Sequence, residues 1–170
     1  MALAFVGWAG WMDWRSRRIR NWLTLPGLVV GVGLNALMGG WQGARAALLG
    51  AALMLLLLLP LVWLRALGAG DWKLMGALGA ILGPKQALTV LVASIFLGGL
   101  MAIVQVVRQR RLGATVANIG RLVQGFFIFG LRAHPVINLD NPQMARLPFG
   151  VAVAGATLLC YAAGYALGSF

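Results

Sequence analysis

Acidic side chains are nearly missing from this chain. Its 170 residues contain no glutamate and only three aspartates, Asp13, Asp71 and Asp140, against fourteen lysines and arginines. Histidine and cysteine occur once each, as His134 and Cys160. A single cysteine excludes an internal disulfide, and one histidine with one cysteine cannot furnish the ligand set of a zinc site. No metal and no cofactor is therefore expected, and Cys160, inside an apolar run, reads as a small core residue. Charge is scarce as well, at 10% of residues, whereas 61% are hydrophobic and the mean hydropathy is +0.89. Such a composition excludes a soluble domain and predicts a polytopic membrane protein. The formal charge of +11 does not point to nucleic acid. The basic residues sit in short segments between apolar runs, where they orient spans in a bilayer.

The apolar runs predict an all-α fold, a membrane bundle of six transmembrane helices forming one domain over residues 1–170. The spans are Met1 to Met12, Trp22 to Met38, Ala46 to Leu64, Trp72 to Leu82, Ala87 to Val107 and Phe149 to Leu167. The first and fourth are short. The first is followed, not preceded, by Arg15, Arg17, Arg18 and Arg20, which is the reverse of a secretory signal. Twelve of the fourteen basic residues then fall on one side, with Arg45 and Lys85 opposite. That asymmetry predicts both termini outside and the basic loops in the cytosol. Glycines spaced by four, Gly27/Gly31, Gly79/Gly83 and Gly164/Gly168, permit close helix contact, although 24 glycines also produce such spacings by chance. Residues 108–146 form a cytosolic loop. Within it, about 114–131 reads as an amphipathic helix in the interface, with Asn118, Arg121 and Gln124 on one side and Val116, Ile119, Val123, Phe126 and Phe127 on the other. A seventh span is the alternative. Asp140, next to Asn141-Pro142, reads as a turn former.

The remaining acids need a reason to be there. Asp13 ends the first apolar segment, and Asp71 follows the Gly68-Ala69-Gly70 turn that opens the fourth. A carboxylate near bilayer depth costs about 2.5–3.5 kcal/mol, so such residues are candidates for function. The six-span topology places both at the cytosolic face, at one depth. Two carboxyls held close together share a proton. The ionised member then deprotonates water while the neutral one hydrogen-bonds the scissile carbonyl, which is metal-free aspartic peptidase chemistry. Each acid also has a plainer role available: Asp71 as a helix N-cap, Asp13 in an ion pair with the neighbouring arginines. A further alternative is a non-enzymatic, proton-coupled carrier using the same acids as a relay.

Gly68-Ala69-Gly70-Asp71-Trp72-Lys73-Leu74-Met75 resembles the GxGDxK[LM] segment of type IV prepilin peptidases, the GxGD class of intramembrane aspartic proteases. Asp13, followed by Arg15, Arg17, Arg18, Ile19 and Asn21, resembles that family's first catalytic block, with Arg20 where proline is usual. Leu147-Pro148-Phe149-Gly150 resembles the block that opens the family's last helix; Pro148 also suits a helix N1 position. The three blocks stand in the family's order, and the size is similar to the minimal branch serving Flp pili of the Tad system. The resemblance implies catalytic Asp13 and Asp71, with Gly68, Gly70, Lys73, Asn21, Pro148, Phe149 and Gly150 in support. It implies cleavage of a short basic leader from a prepilin at the cytosolic face of the bacterial inner membrane, with the bilayer and the pilus assembly machinery as partners. The N-methylation performed by longer relatives is not expected, because their tetracysteine insertion is missing. A presenilin-like GxGD protease is the nearest alternative. Lys73 has two readings, attraction of an acidic group on the substrate or anchoring at the interface. Trp72 reads as an interface aromatic.

Overall fold

The computed structural model describes residues 1–16, 21–109 and 148–167. The described residues are all helical outside short turns, in five helices: α1 (Ala2–Ser16), α2 (Asn21–Trp63), α3 (Ala69–Leu82), α4 (Pro84–Arg108) and α5 (Phe149–Leu167). The interfacial helix expected at 114–131, with Asp140 and His134, lies outside the described residues, as do Arg17, Arg18 and Arg20.

Two helical stretches, Trp22–Trp63 and Pro84–Arg108, are long and apolar enough to cross a membrane. Their large side chains face outward: Leu37, Met38, Trp41, Trp63 and Phe96 are all exposed. A soluble protein would bury such residues, whereas lipid tolerates them. This is a membrane protein.

The boundaries differ from the sequence expectation in three places. The second and third runs are one helical stretch, broken at Gly40 (φ 56, ψ −142). Only glycine takes such a conformation without a steric penalty, so the chain reverses there without a loop, and Gly43 meets the Asn35 carbonyl. The first helix runs past Met12 through Asp13 and Trp14, a continuation the short first run allows, and ends two residues later at Ser16, whose hydroxyl donates to the Met12 carbonyl at 2.8 Å. The fourth starts at Ala69 instead of Trp72. Between α3 and α4 a single residue, Gly83 (φ 78), ends one helix and starts the next, with Pro84 in the first turn of α4, where its missing N–H has no cost.

α3 is the buried centre. Every residue from Leu74 to Ala80 is buried, and α3 lies along both arms of α2. Small residues permit this approach. A Cβ on Gly50 of α2 would fall on the Gly79 carbonyl, and one on Gly31 would meet Ile81 and the α3 backbone. Of the four-spaced glycines, Gly27, Gly31 and Gly79 serve packing while Gly83 serves the turn. The Asn35 amide adds polar closure. It donates to the Ala80 and Ile81 carbonyls at 3.0 and 3.2 Å, two of the carbonyls a helix C-terminus leaves without an internal partner. Around α3 the core is completed by Val6, Met54, Val90 and Val153. Buried hydroxyls bond back along their own helices, Ser94 to the Val90 carbonyl and Thr157 to that of Val153.

Candidate active site

The buried face of α1 comprises Ala2, Val6, Ala9, Gly10 and Asp13. These positions recur every three or four residues, so they share one side of the helix. Trp8, Trp11 and Trp14 fall on the other side and are exposed. Asp13 is therefore the last member of an inward stripe, and only 5% of its surface is accessible. It is not a surface residue. Of the arginines proposed to pair with it, Arg15 lies over the Trp11 ring at 5.8 Å from its centroid, and the other three lie outside the described residues.

α5 supplies the partner of Asp13. Its first turn begins after Pro148, whose carbonyl accepts the Val151 N–H. Pro148 is thus just ahead of the helix, not at its first helical position. The Gly150 amide donates to Asp13 Oδ2 at 2.7 Å. The approach requires glycine, since a Cβ on Gly150 would lie 2.9 Å from Asp13 Cβ and 3.0 Å from Oδ2. Gly10, one turn before Asp13, makes the same concession. A Cβ there would meet Ala154 Cβ at 2.9 Å and the Gly150 carbonyl at 3.2 Å. Gly10 and Gly150 together let the ends of α1 and α5 close around the carboxyl.

Asp71 enters from α3. Gly68 is the N-cap of that helix, so Asp71 stands at its third position and does not cap it. A Cβ on Gly68 would come within 3.0 Å of Asp71 Oδ2, so the carboxylate folds back over Gly68. That accounts for a glycine at the start of the motif. α1 and α3 touch, and Asp13 lies close enough to Asp71 for its charge to act there. The structure thus brings Asp13, Asp71, Gly68 and Gly150 to one place. Phe149 packs against the hydrophobic core. Gly70 and Lys73 are half-buried in the first turn of α3. The side chain of Asn21 is outside the described set. Among the described residues, no three His, Cys, Asp or Glu side chains converge as metal ligands.

Trp72, the residue after Asp71, ties α3 to α2. Its indole Nε1 donates to the Leu55 carbonyl of α2 at 2.7 Å, and its ring packs against the core.

Residues 1–103 match the type IV leader peptidase family, a stretch that includes both Asp13 and Asp71 but ends before Pro148-Phe149-Gly150. The chain belongs to that family. It is a membrane-embedded peptidase of the leader-peptidase type. No curated protein and no solved structure matches the chain.

Proposed function

We propose that this leader peptidase is a metal-independent aspartic endopeptidase, with Asp13 and Asp71 as its catalytic pair. Its substrate is a prepilin of the Flp/Tad kind, cut after a short basic leader at the cytosolic face of the bacterial inner membrane. The observation that carries this reading is the convergence of the two acids from α1 and α3, in a family of peptidases, in a chain with one histidine and one cysteine. Water activated by one carboxylate attacks the scissile carbonyl while the other carboxyl donates a proton to its oxygen. Family membership favours hydrolysis over proton-coupled transport by the same acids.

Six spans accommodate this chemistry: α1, the two arms of α2 on either side of Gly40, α3, α4 and α5. The charge asymmetry then puts both termini outside and the acid-bearing ends of α1 and α3 in the cytosolic leaflet. Both acids belong to the shortest helices, of 15 and 14 residues, about 21–23 Å long by the standard rise. Helices that short leave a thinned, wettable zone where water and an extended substrate can enter.

The test is co-expression with candidate prepilins followed by mass measurement of the pilin N-terminus. Loss of the leader with an unmethylated new N-terminus is the expected product. An intact leader on Flp-type prepilins, with cleavage of other membrane substrates, would transfer the enzyme to the presenilin-like alternative.

A further inference from the structure

The two acids of the pair do not sit in equivalent surroundings. Asp13 is buried, and its Oδ2 accepts the Gly150 N–H at the N-terminus of α5. Backbone N–H groups in the first turn of a helix have no internal acceptor and stand at the positive end of the helix dipole. A hydrogen bond from such a group to a carboxylate is charge-assisted and favours the ionised form. Asp71 also stands in the first turn of a helix, but its carboxyl is half-buried and folds back over Gly68.

From this geometry we infer a division of labour within the pair, resting on the peptidase reading above: Asp13 is the base, Asp71 the acid, and Gly150 the positioning residue that sets the difference. In the first step Asp13 removes a proton from water as the water oxygen bonds to the scissile carbon. The carbonyl π electrons move to oxygen, which takes the proton of Asp71, giving a neutral gem-diol. In the second step Asp71 recovers a proton from one hydroxyl as the carbonyl re-forms. The carbon–nitrogen bond breaks, and the amine leaves with the proton held by Asp13. Water is consumed, and both carboxyls return to their starting states. The backbone N–H is common to any residue but proline; what position 150 requires of glycine is the space, since a Cβ there would press on Asp13 Cβ and its carboxyl. Among the described residues, the other charged groups on elements packed around Asp13 are Arg15 on α1 itself and Lys73 on α3; α5 carries Cys160 and Tyr161 farther along.

The scarcity of acids makes the assignment measurable. With three aspartates and no glutamate, the infrared carboxyl region is nearly empty in a detergent without ester carbonyls. The full chain at neutral pH should show a protonated carboxyl that disappears in Asp71→Asn and is unaffected by Asp140→Asn. A protonated carboxyl that survives in Asp71→Asn and vanishes in Asp13→Asn would reverse the roles. This arm needs no substrate, so it stands or falls separately from the peptidase reading. In the activity arm, Gly150→Ala should move the acidic limb of the kcat/KM profile to higher pH by about one to two units, the scale of one charge-assisted hydrogen bond, with KM little changed. A fall in kcat with the limb unmoved would reduce Gly150 to a packing residue and overturn the inference. If Gly150→Ala does not fold, the infrared comparison decides alone.

Discussion

At the scale of single residues, two short polar contacts hold the acids in place: the Gly150 amide on Asp13 and the Trp72 indole on the Leu55 carbonyl. The second fixes the first turn of α3, one residue from Asp71. Trp72→Phe keeps an aromatic ring but loses the indole donor and part of the packing, so it should cost at least about 1 kcal/mol of stability and lower kcat more than KM. Thermal unfolding in detergent and steady-state cleavage give the two numbers; unchanged kcat would mean that Trp72 does not position Asp71. Metal independence is also a residue-scale claim. Cleavage should survive EDTA without added S-adenosylmethionine, and activity lost to EDTA and restored by zinc would contradict it. Asp13 and Asp71 were legible in the sequence because acids are so rare in it that each one demands a reason. Gly150 was legible only through its motif, since its amide meets Asp13 across 137 positions and no local pattern encodes that distance. Asp71 as an N-cap was a fair local inference that failed by three positions, because Gly68 is extended (φ −68, ψ 140) and lets the helix begin earlier.

At the scale of helices, the sequence located apolar runs well and their ends less well. The 3.6-residue stripe of α1 passes through Asp13 without interruption, so its charge did not stop the helix. The break at Gly40 was hidden because apolar residues and glycine lie on both sides, leaving no polar loop to mark a turn. Close packing was legible only as a general abundance of glycine. The contact that matters most joins Gly50 to Gly79, which no spacing within one helix could reveal. Gly50→Ala must force α2 from α3 backbone to backbone, and about 1–3 kcal/mol of destabilisation is expected. Gly33→Ala, with open space around its position, should be neutral or stabilising by up to about 1 kcal/mol through helix propensity alone. Comparing thermal stabilities of the two variants in detergent checks the α2–α3 seam; equal effects would mean that the helices do not meet there.

At the scale of the whole molecule, the helices bring together the ends of α1, α3 and α5 that carry Asp13, Asp71 and Gly150, while outward-facing leucine, tryptophan and phenylalanine meet lipid. A reporter fused after Phe170 should read outside and one inserted near Arg110 should read cytosolic. A cytosolic C-terminus would make residues 114–131 a seventh span. The central claim, that Asp13 and Asp71 act as one catalytic unit, is tested most directly by prepilin cleavage in the two asparagine variants and their combination. Asparagine keeps the shape of aspartate but can neither hold the negative charge nor exchange the shared proton. Each single variant should insert normally and lose at least about 10²-fold in cleavage rate, the lower range for a general acid or base. The double variant should be little worse than either, because groups acting as a unit are not additive, and Asp140→Asn should cleave like the wild type. Substantial cleavage by Asp13→Asn or Asp71→Asn would contradict the account.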